Sequence, residues 1–259
     1  MQSFDDGVLR EMGRLHSAAE ARAAYAAARA AGFLNVSIDL ILGWPGESAE
    51  RWRRALAELA ELQPDHVSLY VLEVEGKTLL AHQLDRGGFT LPDDDLVADL
   101  YAQTVETLDA AGIHRYEISN FARPGRESRH NGKYWADAPF LGLGMSAHSY
   151  WNGRRHWNAG SFGAYCSRIE KGGPLAARDG ERVLSDEERR SEALFTGLRR
   201  SEGIDPARFL ERYGIDPRAS YVEPLREPLA AGLIESRGGR LRLTEKGVLL
   251  SNEVFRAFV

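Results

Sequence analysis

Over residues 1–120, helix-forming segments alternate with short apolar runs rich in β-branched residues, and few architectures accommodate that alternation. The segment "SAAEARAAYAAARAAGF" opens on a capping box, Ser17 with Glu20, runs through strong helix formers and stops at Gly32. "NVSIDLIL" (35–42) is mostly apolar, as suits a strand covered on both faces. After the turn "GWPGES", "ESAERWRRALAELAEL" predicts an amphipathic helix that closes before Pro64. "DHVSLYVL" (65–72) predicts a second strand. "LPDDDLVADLYAQTVETLDAAG" predicts a helix with an acidic first turn, ending at Gly112, and "HRYEIS" (114–119) a third strand. Strand, helix, strand, helix, strand at this spacing predicts parallel βαβ units.

Past residue 120 the pattern breaks. "SRHNGKYWADAPFLGLGMSAHSYW" (128–151) has neither a helical nor a strand period and reads as loop, yet it is rich in glycine, histidine and aromatic residues. A further change comes near residue 180. "SDEERRSEALFTGLRR" carries a second capping box, Ser185 with Glu188, and "DPARFLERYG" is a short helix. "SYVEPLREPLAAG" predicts a helical turn or two interrupted by prolines, and "LIESRGGRLRLTEKGVLLSNEVFRAF" a hairpin with a Gly-Gly turn and a helix. Three helices and a two-stranded wing make a winged-helix pattern. The wing holds only Arg237, Arg240 and Arg242, a thin basic face for phosphate, and the formal net charge of −5 also argues against a general nucleic-acid binder. No apolar signal segment or membrane-length apolar run is present, so a cytosolic location is expected.

The chain has 1 cysteine, Cys166. One thiol excludes an intrachain disulfide, a cysteine-ligated iron–sulfur cluster and a Cys₂ zinc site within one chain, and Cys166 reads as a small apolar residue on a helix. "SRHNGKYW" offers an imidazole, an amide and two large flat side chains, which suit haem iron and a porphyrin face. A single histidine beside aromatics is equally at home as a structural residue. Gly142 and Gly144 of "FLGLGMSAHSYW" allow close backbone approach and precede His148; they lack the full dinucleotide fingerprint, and a packing site explains them as well. Asp39 lies inside an apolar strand. It either faces a ligand at the carboxyl end of a barrel strand, with Gly43 and Pro45 nearby, or accepts backbone hydrogen bonds in the core. "YEISNF" puts Glu117 and Asn120 at another strand end.

Five motifs occur in one order: "MQSFDDGVLREMGRLH", "NVSIDLILGWPGES", "PDHVSLYVLEVEGKT", "YEISNFARPGRESRHNGKYW" and "FLGLGMSAHS". Together they resemble the HemW haem chaperones, in the oxygen-independent coproporphyrinogen III oxidase-like group of the radical S-adenosylmethionine (SAM) superfamily. The resemblance implies an α/β fold: the C-terminal half of a partial (β/α) radical-SAM barrel at 1–120, a haem-motif and connecting region at 121–180, and a small winged-helix-like α+β domain at 181–259. It implies haem binding through His130, the iron ligand, with Asn131, Tyr134 and Trp135 of the same motif. His148 and His156 are the rival ligands. It implies SAM contacts from Gln2, Arg14 and Asp39, where Gln2 and Asp39 can hydrogen-bond sugar hydroxyls and Arg14 can pair with a carboxylate. The implied cofactors are haem and, in the full-length family, SAM and a [4Fe–4S] cluster. The implied partners are haem and acceptor haemoproteins such as respiratory enzymes, with a homodimer and peripheral membrane contact during delivery. The alternatives are coproporphyrinogen III oxidation by a radical SAM enzyme, or an inactive relative that gives no spectral change with haem.

The family carries a Cys-x₃-Cys-x₂-Cys triad and a "GGGTPS" segment ahead of the point where "MQSF" matches its "GVQSF". Neither is in these 259 residues. Two expectations follow: the gene continues upstream in frame and encodes the triad, and this chain neither holds the cluster nor cleaves SAM. Strand 35–42 is then expected to have an open edge.

Overall fold

Both capping boxes close as their spacing predicts. Ser17 Oγ accepts the Glu20 N–H at 3.2 Å while the Glu20 carboxylate accepts the Ser17 N–H at 2.8 Å, and Ser185 with Glu188 repeats the arrangement. The computed structural model describes every residue except Glu75, Lys77 and Val259. The first two belong to the "LEVEGKT" stretch and the third to the winged-helix-like segment; those parts of the expectations lie outside the described residues. Two compact units make up the chain, Met1–Glu127 and Ser128–Val259.

The first unit runs α1 (Asp6–Glu11), α2 (Ala18–Ala30), β1 (Ser37–Leu42), α3 (Ala49–Leu62), β2 (His66–Val71), α4 (Leu79–Asp85), α5 (Asp94–Ala110), β3 (His114–Glu117) and β4 (Asn120–Ala122). β1 and β2 pair in parallel from Ser37↔His66 to Leu42↔Val71, as the alternation predicts. The third strand does not extend that parallel ladder. The chain reverses after Glu117, whose carboxylate accepts the Ser119 N–H at 3.0 Å and the Asn120 side-chain amide. β4 then inserts antiparallel between β2 and β3, giving the order β1-β2-β4-β3. Nor is β1 covered on both faces: Ile38, Leu40 and Leu42 are buried, while Ser37, Asp39 and Ile41 are exposed to half-buried. The buried face belongs to a core with Trp52, Leu56 and Leu59 of α3, each worth about 1.5–3 kcal/mol on burial. Trp52 Nε1 donates to Thr104 Oγ1 at 2.8 Å and ties α3 to α5. Ahead of the two parallel strands, the Asp65 carboxylate accepts the Val36 N–H at 3.0 Å and pairs with Arg29 at 2.6 Å. Burial alone would raise that carboxyl's pKa; the Val36 N–H and Arg29 override it and hold it below the usual range.

The second unit runs α6 (Arg129–Trp135), β5 (His148–Trp151), β6 (Arg154–Asn158), α7 (Phe162–Gly172), a 3₁₀ turn (Pro174–Ala177), β7 (Arg178–Val183), α8 (Asp186–Leu198), α9 (Pro206–Tyr213), α10 (Pro217–Ser220), α11 (Val222–Ala230), β8 (Ile234–Arg237), β9 (Arg240–Leu243), α12 (Glu245–Leu249) and α13 (Ser251–Arg256). The stretch 128–151 is therefore not all loop; it holds a helix and a strand. β5, β6 and β7 form an antiparallel sheet, with β5 and β6 joined by Asn152-Gly153 at φ 50° and 72°. The Gly238-Gly239 hairpin forms as expected, and Ile204 adds a bridge to Leu241 beside it. Prolines do not interrupt α11: Pro224 lies in the first turn, where no N–H is needed, and Pro228 is buried within the helix. The final helix breaks in two at Leu250. On the wing, Arg240 lies 3.4 Å from Asp205 and Arg242 2.6 Å from Glu235, so both charges are locally balanced. No described helix is long and apolar enough to cross a membrane.

Candidate functional site

Ser128 caps α6 by accepting the Asn131 N–H at 3.2 Å, which places His130 in the first turn with its side chain exposed. Tyr134 follows one turn later on the same face. Its hydroxyl lies 3.1 Å from His130 Nε2, and the two rings meet edge to face at 5.0 Å. Tyr134 in turn meets Phe140 at 4.6 Å, and Phe140 meets Tyr150 at 6.4 Å. His130 thus stands at the open end of an aromatic row that runs into the β5 strand. Asn131 is half-buried, and its backbone serves the cap. Trp135 is not beside Tyr134 in this row. Its ring lies under the Arg199 guanidinium at 4.4 Å, and its Nε1 is buried without a hydrogen-bond partner.

α6 ends in a left-handed residue. Asp137, at φ 48°, donates its N–H to Tyr134 O at 3.2 Å, and Ala138 donates to Lys133 O at 2.9 Å, closing a Schellman motif. Tyr134, Trp135, Asp137, Phe140, His148 and Arg155 are among the residues lining a cavity of about 300 Å³ behind the row. The glycines do permit close approach. A Cβ on Gly142 would lie 2.1 Å from the His148 carbonyl oxygen. The Gly142 N–H donates to Ser149 Oγ at 2.8 Å, the Gly144 N–H to Tyr165 at 3.1 Å, and Asn158 Nδ2 reaches the carbonyls of both glycines. This loop is fixed by its backbone, and it exposes Leu141, Leu143 and Met145.

Of the rival histidines, His148 is exposed and stacks on Trp157 at 5.9 Å, whereas His156 is 7% exposed. Burial, and then the Arg178 charge, push the His156 pKa down against the opposing pull of Glu181. Cys166 lies on α7, half-buried. No cluster of three or more metal-ligating side chains occurs among the described residues.

In the first unit, ladder register brings polar side chains into one rank. Asp39 pairs with Ser68, Ser68 with Asn120, and Asn120 with Glu117, so all four lie on the sheet face opposite Ile38 and Leu40. Asp39 is half-buried rather than a core carboxylate, with the Ser37 hydroxyl at 3.5 Å. Asn120 Oδ1 is buried without a partner, as is Gln2 Oε1. Gln2 lies against β1, its carbonyl accepting the Ile41 N–H at 3.0 Å, while Arg14 is exposed. Sequence motifs do not single out Ser68, although the alternation His66, Ser68, Tyr70 against Val67, Leu69, Val71 signals a polar face.

Residues 184–250 match the HemN C-terminal domain. "Heme chaperone HemW" of Bacillus subtilis is 37% identical over 260 residues, an overlap that takes in 100% of this chain and 68% of that protein. The chain belongs to the HemW family. HemW of Lactococcus lactis is 33% identical across 100% of this chain and 67% of its own length. The chain therefore spans about two thirds of these HemW relatives. In fold it matches the radical SAM enzyme coproporphyrinogen III oxidase (HemN) of Escherichia coli, with a TM-score of 0.79 over 100% of this chain and 62% of that one, at 23% identity. The radical-SAM-type partial barrel followed by a C-terminal domain is thus the architecture of this HemW homologue.

Proposed function

We propose that this chain binds haem through His130 and passes it to acceptor haemoproteins. The observation that carries the reading is the exposed imidazole at the open end of the Tyr134–Phe140–Tyr150 row. Imidazole nitrogen is a good ligand for haem iron, and aromatic edges give a porphyrin apolar contact. The residues fit the group: Nε2 is satisfied only by a tyrosine hydroxyl at 3.1 Å, an exchangeable neighbour that keeps the ring oriented. Bound haem supplies the iron centre; the chain supplies an exposed imidazole, an aromatic wall, and a site open enough to release its cargo. Trp135, whose ring lies under the Arg199 guanidinium, lines the cavity behind the row together with Tyr134.

The same reading gives Asp39, Gln2 and Arg14 to SAM. Two buried acceptors without partners, Gln2 Oε1 and Asn120 Oδ1, suit a ligand rich in hydroxyl donors. A [4Fe–4S] cluster does not fit these 259 residues, since one thiol cannot hold it.

The test is a haem titration of the chain followed in the Soret region. His130→Ala is expected to weaken binding by at least tenfold, whereas His148→Ala and His156→Ala leave it close to wild type. Equal binding by wild type and His130→Ala removes His130 from the mechanism.

A further inference from the structure

We propose that the C-terminal segment matching the HemN C-terminal domain holds the haem ligand in place: Arg212 and Tyr213 of α9, acting through Asp137, are positioning residues for His130. The proposal rests on the haem reading of His130 and assigns new residues to it.

α6 has only 7 residues. A helix that short does not hold itself in water, so the position of His130 depends on what grips the ends. The N-terminal end has the Ser128 cap. The C-terminal end is gripped by α9. Arg212 Nη1 donates to the Ala136 carbonyl at 2.9 Å, and Nη2 donates to the Asp137 carbonyl and, at 3.0 Å, to Asp137 Oδ2. The Tyr213 hydroxyl donates to the same Oδ2 at 2.6 Å. One guanidinium therefore caps two terminal carbonyls while its neighbour fixes the side chain between them.

The residue at the junction also points to anchoring. Position 137 is left-handed, where glycine carries no steric cost and is the usual choice. An aspartate there accepts some backbone strain in exchange for the contacts to α9. Its side chain is only 14% exposed, and its charge, after burial, helps keep the Tyr213 hydroxyl protonated as a donor. A turn needed only to end a helix requires neither partner. Tyr134, the neighbour of His130, lies three residues from Asp137 and accepts its N–H, so displacement at 137 passes directly to the aromatic row.

The experiment is a haem titration of the full chain, with the Soret maximum and the electron paramagnetic resonance ligand signature recorded beside thermal unfolding. Asp137→Gly keeps the left-handed turn and removes the anchor; Tyr213→Phe keeps the ring and removes one hydroxyl. Both are expected to weaken haem binding by roughly 10–100-fold, the usual effect of removing a residue that orients a metal ligand, and to alter the ligand signature. Asp137→Asn, which keeps an acceptor and tolerates positive φ, is expected to bind close to wild type. A purely structural role predicts the reverse for Asp137→Gly: an unchanged or raised melting temperature with unchanged haem binding. That result, together with wild-type binding by Tyr213→Phe, overturns the proposal. If His130→Ala loses haem while the anchor variants do not, the anchoring alone fails. If His130→Ala binds normally, the haem reading fails with it.

Discussion

At the scale of single residues, two glycines that look alike in the sequence have different duties. Gly144 is left-handed at φ 101° with open space around it, whereas Gly142 is confined by the His148 carbonyl. Gly142→Ala forces backbone to move and is expected to destabilise the second unit by roughly 1–3 kcal/mol, read as a shift in urea midpoint. That a glycine was needed near 142 was legible; which atom demanded it was not, because His148 reaches it only after the chain folds back. Histidines give a second expectation. Burial holds the imidazole pKa of both His66 and His156 down; for His66 it outweighs the opposing charges of Asp39 and Glu127. Below the ordinary histidine value of ~6.5 the unfolded chain takes up protons that the folded chain refuses. Stability is therefore fully present above that pH and falls as pH drops through it. Urea midpoints at pH 7.5 and 5.5 measure the loss, and His66→Gln is expected to shrink it.

At the scale of elements, legibility followed length and local chemistry. α2, α3, α5 and α8 are long enough to show a period and carry their own start and stop residues, so the sequence announces them. α6 has two turns and a glycine within it, too short for a 3.6-residue period to register. β5 (His-Ser-Tyr-Trp) and β6 (Arg-Arg-His-Trp-Asn) lack a simple alternation of apolar and polar residues, which hides them although Asn152-Gly153 between them is a strong hairpin signal. β4 could not be foreseen from pattern at all: 3 residues inserted antiparallel depend on the Glu117 turn. The glycine in α6 yields an element-scale prediction. Gly132 has no atom near its would-be Cβ and an ordinary negative φ. It sits roughly 200° around the helix from His130, at about 100° per residue. Gly132→Ala is expected to raise stability by roughly 0.5–1 kcal/mol and leave haem affinity unchanged. A fall in affinity beside that gain in stability would place the ligand on the other face of α6.

At the scale of the whole molecule, the two sets of proposed site residues separate with the two compact units. Gln2, Arg14 and Asp39, with the polar rank across the sheet, belong to Met1–Glu127; His130, the aromatic row and its anchor belong to Ser128–Val259. The motif "YEISNFARPGRESRHNGKYW" spans both the break in pattern past residue 120 and the division between the units after Glu127, so residues proposed for the two sets share one motif. The second unit has a core of its own, with Tyr150, Leu194, Leu198, Phe209, Leu225 and Val254 all buried. It also contains every hydrogen bond and ring contact described around α6. A fragment comprising residues 128–259 is therefore expected to fold cooperatively and to bind haem within about tenfold of the full chain, the equivalent of ~1.4 kcal/mol. That binding should be lost on His130→Ala. The fragment comprising 1–127 should give no Soret shift, since its histidines lie outside the motif. Parallel titrations of the two fragments measure this directly. A folded 128–259 fragment without haem affinity would mean that the first unit supplies part of the haem seat, and His130 with its aromatic row would then be only half of the site.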